Sequence, residues 1–181
     1  MDINKQRGVV LVVSLVMLLL MTLLGVSAMK TSVMETKMAG NSRDMELAFQ
    51  ATETALRDAE QWITAQTSEI EADASGSNRI WTFNAMDPDT SNASNWWQER
   101  DTPWWNNNAV AYVPANVASV LVSVKSVPRS TIEYKQFVPD TLLIGNGGAG
   151  TGMTYYQVTA RGTGGSDQSR DLLQSTVARR Y

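Results

Sequence analysis

The sequence predicts an α+β protein. One long N-terminal helix, apolar in its first half and amphipathic in its second, is expected to pack on an antiparallel β-sheet head of four to five strands. Three observations predict this. Val9 to Met29 are 21 consecutive residues without a charge. Lys30 to about Ala65 follow with apolar residues at helical spacing and no Pro. Beyond Ala109, several stretches alternate apolar and polar residues, the period of half-buried strands. A one-sided helix and a one-sided sheet each need a partner layer, and each supplies the other's.

The uncharged run contains only Ser14, Thr22 and Ser27 as polar side chains. At ~1.5 Å rise per residue it spans roughly 30 Å, the thickness of a bilayer's hydrocarbon. Lys5 and Arg7 against Asp2 precede it; Lys30 and Lys37 against Glu35 follow. The basic segment before the run favours a cytoplasmic start, with the rest projecting out of the cytoplasm. Three readings compete: a buried soluble helix, a cleaved signal peptide ending near Val26-Ser27-Ala28, and a retained membrane helix. The apolar stretch exceeds the usual 7–15 residues of a signal peptide.

The next segment favours retention. Val33, Met34, Met38, Met45, Ala48, Phe49, Ala55, Leu56, Ala59, Trp62 and Ile63 recur mostly at intervals of 3, 4 or 7, one face of a helix. Arg43, Asp44, Glu46, Glu53, Arg57, Asp58 and Glu60 fill the other face, with Glu53 and Arg57 at the favourable i,i+4 orientation. No stop signal separates the two halves, and Gly40-Asn41-Ser42 is the one soft spot. A continuous helix from Val9 to Ala65 would be about 85 Å long. The expected organisation is a basic leader at 1–8, a membrane or assembly helix at 9–29, an amphipathic helix at 30–65, and a globular head at 66–181.

Gln66 to Asn108 reads as polar, acidic and then Trp-rich, with turn clusters at Ser75–Asn78 and Asp87–Thr90. Strands are expected at Val110–Val113, Val117–Val127, Thr131–Val138, Tyr155–Arg161 and Leu172–Arg179. Gly145 to Gly152 holds five Gly and reads as a hairpin connection; Gly162-Thr163-Gly164-Gly165 reads as a turn before the last strand. Within a Trp-rich loop at 81–105, Trp96, Trp97, Trp104 and Trp105 form two adjacent pairs. Packing of the loop onto the sheet or helix is the first reading. An interface is the second, since Trp is enriched at hot spots; in an extended segment one of each pair would face the core and the other a partner. A sugar-binding platform is a third. Asp87-Pro88-Asp89-Thr90-Ser91-Asn92 has calcium-like oxygen spacing but lacks the Gly and the later Glu of a calcium-binding helix-loop-helix motif. Asp87 and Asp89 are therefore a weak metal candidate, and a plain turn is preferred.

Composition excludes much chemistry. The 181 residues contain no Cys and no His, which removes disulfides, thiolate catalysis, Cys-ligated zinc, and the commonest general base. The formal charge of −3 argues against nucleic-acid binding. Charge is uneven: Asn41 to Ser75 carries eight acids and two bases, Ala160 to Tyr181 four Arg and two Asp. A solvated helix face is the first reading; alternatively, opposite patches would orient neighbouring subunits, with more effect on specificity and rate than on affinity. Glu99, Asp101, Glu133 and Asp140 are scattered acids that form no recognisable glycosidase pair. No catalytic set, no cofactor and no enzymatic activity are expected.

The stretch Lys5-Gln6-Arg7-Gly8, followed by Val9-Val10-Leu11-Val12-Val13, resembles the leader and helix start of the type IV pilin family. Met38-Ala39-Gly40-Asn41, Ala48–Leu56, Thr159–Gly165 and Leu173–Thr176 look like the PilX-type minor pilins. The resemblance covers both ends; Glu69 to Ser130 carries none. It implies cleavage by a prepilin peptidase between Gly8 and Val9, with methylation of the new amine. It also implies a place in a tip or initiation complex with other minor pilins, the major pilin and a large tip adhesin. That complex primes pilus assembly and supports adhesion and twitching. The chain would be held in the inner membrane, single-pass with a periplasmic head, and then carried to the pilus tip. Most family members carry Glu at the fifth mature position, which here is Val13. That carboxylate meets a neighbour's terminal ammonium in an apolar bundle, where an unpaired charge costs several kcal/mol; its absence is associated with tip subunits. A tip pseudopilin of type II secretion, or a secreted protein starting near Met29, are the alternatives.

Overall fold

The computed structural model of the chain describes residues 6–113, 124–140 and 151–181. The chain divides into two compact units, Met1–Arg43 and Asp44–Tyr181. Helix α1, Gln6–Ala65, contributes to both and keeps its helical hydrogen bonding through Gly40–Ser42.

In the first unit the helix is exposed from Val9 onward, and from Val9 to Met29 it is apolar all round. Its few hydroxyls bond back to the helix: Ser14 Oγ donates to the Leu11 carbonyl (2.9 Å) and Thr22 Oγ1 to that of Leu19 (2.8 Å). Such return bonds give these two hydroxyls a partner inside the helix itself.

In the second unit, the Asp44–Ala65 part of α1 lies on one face of a five-stranded sheet. The strands are β1 (Ile80–Trp81), β2 (Val110–Ala111), β3 (Arg129–Pro139), β4 (Gly152–Thr163) and β5 (Arg170–Arg179). The order is β1-β3-β4-β5, with β2 also on β3. Strands β3, β4 and β5 pair antiparallel in long register, from Arg129↔Arg161 to Thr154↔Arg179. Strand β1 instead runs parallel to β3 (Ile80↔Ile132, Trp81↔Glu133), so the sheet is mixed and not purely antiparallel as expected. Its two residues are too few to carry a periodic signal, and Ile80 stands within a stretch that reads as polar, acidic and then Trp-rich.

The core between helix and sheet is Ala59 and Ile63 of α1 with Ile80, Ile132, Tyr156 and Val158. The helix meets the sheet through small side chains. Ala48, Ala51, Thr52, Ala55 and Ala59 are all buried, at spacings of three, one, three and four. This seam lets β4 approach closely, and at Gly162 the fit leaves no room for a side chain. A Cβ there would lie 2.6 Å from Thr52 Oγ1 and 2.7 Å from Thr52 N. Gly164 is equally confined, with a Cβ 2.3 Å from the Asp44 carbonyl oxygen. Gly162-Thr163 therefore belongs to β4 and is not the turn the sequence suggested; the glycines serve contact with the helix. The following turn is tied to the helix by Asp44, which accepts from Ser166 N (3.1 Å) and from Ser166 Oγ. Bonds from the Ser166 and then the Ser169 side chains hold the Asp44 carboxyl below its ordinary range. Gly162→Ala is expected to cost about 1–3 kcal/mol, the usual scale of overpacking, read as a lower thermal midpoint of the full chain. An unchanged midpoint would show that the close approach carries no energetic weight.

The strand expected at Val117–Val127 lies mostly outside the described residues; its described end, Val124–Val127, is not strand. Most of the Gly145–Gly152 segment also lies outside them, and β3 and β4 pair antiparallel on either side of it.

Candidate functional site

Three places were singled out by sequence. The first is the apolar helix with Gly8, Val9 and Val13. All three lie within α1. Val9 and Val13 are one turn apart, hence on one side of the helix, and both are exposed. Among the described residues, α1 is the one helix long and apolar enough to cross a membrane. Val9, Leu11, Leu15, Leu18, Leu24 and Met29 are each more than half exposed. A continuous apolar surface on this scale marks a membrane or protein contact.

The second place is the Trp-rich segment. It is not an extended loop. Trp96–Glu99 and Thr102–Asn108 form two short helices, α2 and α3, joined through Asp101, whose carboxylate caps α3 by accepting from Trp104 N (2.9 Å). Pro103 sits in the first turn of α3, where its missing N–H costs nothing. The helical turn still separates each pair: Trp96 and Trp105 are buried, while Trp97 and Trp104 are half-buried. Trp96 stacks on Trp105 at 5.6 Å between ring centroids, and Trp104 meets Trp105 edge-on at 5.7 Å. With Trp81, Met86 and Ala109 they form a second core. Pairing fixes which side of the sheet it covers. Ile80 and Trp81 alternate, Ile80 entering the helix-side core and Trp81 the Trp cluster, so the cluster covers the opposite face. Packing therefore accounts for Trp96 and Trp105. The indole N–H groups of both have no acceptor among the described residues.

The third place, Asp87 and Asp89, is a pair of turns. Asp87 accepts from Asp89 N (2.9 Å), and Asp89 accepts from Ser91 N (3.0 Å) and Ser91 Oγ. The Ser91 hydroxyl first, and its backbone N–H second, hold Asp89 below its ordinary range. These are the local bonds of Asx turns. Among the described residues, no group of three or more carboxylates converges as a metal site.

The scattered acids also have structural partners. Asp140 accepts both Arg180 Nη atoms at 2.8 and 2.9 Å. Glu99 accepts from Asn92, and Asp101 caps α3. Glu133 is buried: its Oε1 accepts from Asn84 N (2.8 Å), and Lys135 Nζ lies 2.9 Å from its Oε2. Lys135 occupies the register shift between Tyr134 and Gln136, where a bulge re-aims the side chain, and its ammonium also lies 4.7 Å from the Phe83 ring. Sequence reasoning missed this pair. A lone Glu in an alternating strand reads as a solvent-facing residue until the second layer is known.

The assembly-type helix and the head agree with comparison to known families. The model for the PilX N-terminal region matches residues 7–57, and the model for the type IV pilus assembly protein PilX C-terminal region matches residues 50–179. The chain belongs to the PilX family. It is a type IV pilus assembly minor pilin by that membership, and its apolar N-terminal helix fits a membrane-anchored pilin. No curated protein and no solved structure matches it significantly. The C-terminal match covers the mixed sheet, both Gly162 and Gly164, and the Trp core. The resemblance carried by Thr159–Gly165 thus rests on residues that seat the helix on the sheet.

Proposed function

We propose that this PilX-family protein is a minor pilin of the tip or initiation complex, which primes pilus assembly and helps display a tip adhesin. It works by packing and not by catalysis. The observation that carries the reading is Val13, exposed on the apolar helix one turn from Val9, at the position where the family usually places Glu. A repeating subunit in an apolar bundle needs an acid there for the next chain's terminal ammonium, because an unpaired buried charge costs several kcal/mol. A subunit with Val13 offers no such partner, so it suits an end position.

On this reading prepilin peptidase cuts between Gly8 and Val9 and the new amine is methylated. The protein then waits as a single-pass inner-membrane protein with a periplasmic head. Its helix joins those of other minor pilins and the major pilin, and the subunit ends at the pilus tip, supporting adhesion and twitching. Half-buried Trp97 and Trp104 are the members of the Trp segment left for a partner. The chain's membership in a pilus assembly family supports the pilus over a secretion pseudopilin.

Mass spectrometry of the mature chain is expected to find N-methylated Val9; a start near Met29 would return the chain to the secreted reading. Val13→Glu is expected to move the subunit from the tip into filament shafts, seen by immunogold labelling of sheared pili. If the wild-type protein already labels shafts and Val13→Glu changes nothing, the end position is wrong.

A further inference from the structure

The head carries an arginine-lined cleft of about 320 Å³ on the sheet face opposite α1. Its walls include Arg129, Arg161 and Arg170, with Thr102, Trp105 and Ser126. The three arginines come from three neighbouring strands and share one face by register. Arg129 of β3 pairs directly with Arg161 of β4, and Arg170 of β5 pairs with Thr163, two residues beyond Arg161. Like charges directly opposite each other on adjacent strands are destabilising. The fold therefore holds them together against their repulsion.

Their charges are not closed by ion pairs among the described residues. None of the three lies in a salt bridge among the described residues, whereas Arg57, Arg79 and Arg180 each do. Segments 114–123 and 141–150 contain no acidic residue that could serve. Two acids are near. Asp167 also lines the cleft, but its Oδ1 accepts from Ser126 Oγ and its backbone carbonyl from Arg170 Nε. Asp101 acts on Arg161 from the α3 cap. Each guanidinium has five N–H donors, and each uses one in these contacts: Arg129 to the Ala109 carbonyl, Arg161 to Thr102 Oγ1, Arg170 to the Asp167 carbonyl. Arg161 is half-buried, with its guanidinium 5.6 Å from the Trp105 ring centroid. That packing orients the fork without consuming its donors. Planar guanidiniums in a fixed cluster match the paired oxygens of carboxylate and phosphate groups.

We propose that this cleft binds an oxyanion, a carboxylate or a phosphate group, gripped by Arg129, Arg161 and Arg170. The site is separate from the apolar helix and does not depend on where in the pilus the subunit sits.

The test uses the full chain in neutral detergent at low ionic strength, with inorganic phosphate and a tetraglutamate peptide as probes and sodium chloride as the ionic-strength control. Binding is followed by tryptophan fluorescence and by the thermal midpoint of the head. At least one probe is expected to bind and to raise the midpoint beyond the chloride control. Arg170→Gln, at an exposed position, is expected to weaken that binding about tenfold, the scale of one lost charge-assisted hydrogen bond. It leaves the midpoint without anion unchanged or higher because a repulsion is relieved. Arg129→Gln behaves likewise, Arg170→Lys recovers part of the affinity, and Arg57→Gln, elsewhere on the head, has no effect. Tetraglutamate binding tenfold or more tighter than phosphate identifies a partner's acidic side chains as the source; equal or weaker binding identifies a free oxyanion. The proposal is overturned if both probes bind more weakly than about 10 mM, or if Arg170→Gln and Arg129→Gln bind as the wild type does.

Discussion

Trp105→Ala is expected to lower the stability of the head by about 3–5 kcal/mol, the range for removing a buried Trp. A domain's entire stability is about 5–15 kcal/mol, so this single change approaches the limit of folding. The reason is position. Trp105 is 1% exposed, stacks on Trp96, meets Trp104 edge-on, and lies beneath the Arg161 guanidinium. Its loss leaves a cavity at the junction of α3, the sheet and the first Trp pair, Trp96-Trp97, and short helices such as α2 and α3 hold little structure without tertiary contacts. All six Trp lie between Trp62 and Trp105, so intrinsic fluorescence reports on the head and not on the apolar helix. At roughly 4 °C per kcal/mol, the thermal midpoint should fall by about 12–20 °C. Trp105→Phe should recover much of this, since the ring is kept and an indole N–H without an acceptor is removed. A loss below about 1 kcal/mol for Trp105→Ala would mean that the cluster is a surface feature and not a core.

Glu133→Ala is expected to be the second largest effect, about 3 kcal/mol, near the low end for breaking a buried pair. Two groups lose their partner at once. The Lys135 ammonium keeps its place against Phe83 without a counter-charge, and Asn84 N loses its acceptor. Asn84 adopts a left-handed backbone (φ 58°), a conformation that a local tether helps to hold. The estimate stays at the low end because the Lys135 side chain remains 29% exposed and can turn to water. Glu133→Gln retains an acceptor for Asn84 and should cost less. Lys135→Met combined with Glu133→Gln tests the pairing: if the double variant loses as much as the sum of the singles, the two residues are not coupled. Urea unfolding followed by fluorescence supplies each value.

Much of the fold was legible in the sequence, for a physical reason particular to each part. The helix from Val9 to Ala65 was legible because a bilayer-length uncharged run and a one-sided run are both local patterns; its first turn, from Gln6, lies in the segment expected to be leader. Strands β3, β4 and β5 were legible because each is ten or more residues long and alternates. The family membership followed from residues at both ends of the chain. The Trp segment was half legible: adjacency said that each pair would be split between buried and accessible positions, but the split arises from helical turns and not from an extended strand. The preference for packing was right for Trp96 and Trp105.

What the sequence by itself determined is therefore the part set by near neighbours: an exposed apolar helix with Val at position 13, an amphipathic continuation, three long strands, and the absence of Cys and His chemistry. Only the tertiary structure decided the rest. A two-residue β1 has no period to read, and its parallel pairing depends on β3, which lies some fifty residues away. Gly162 looked like a turn residue because glycine is ambiguous locally; the helix backbone pressed against it, and its pairing in β4, resolve it, while Gly164 does lie in the connection before β5. Glu133 became a buried anchor, and Arg129, Arg161 and Arg170 became one charged cleft, only when strands distant in sequence were laid side by side. Local patterns carry the free energy of single elements, whereas a site is made of side chains whose proximity no stretch of sequence encodes until the sheet register brings them together.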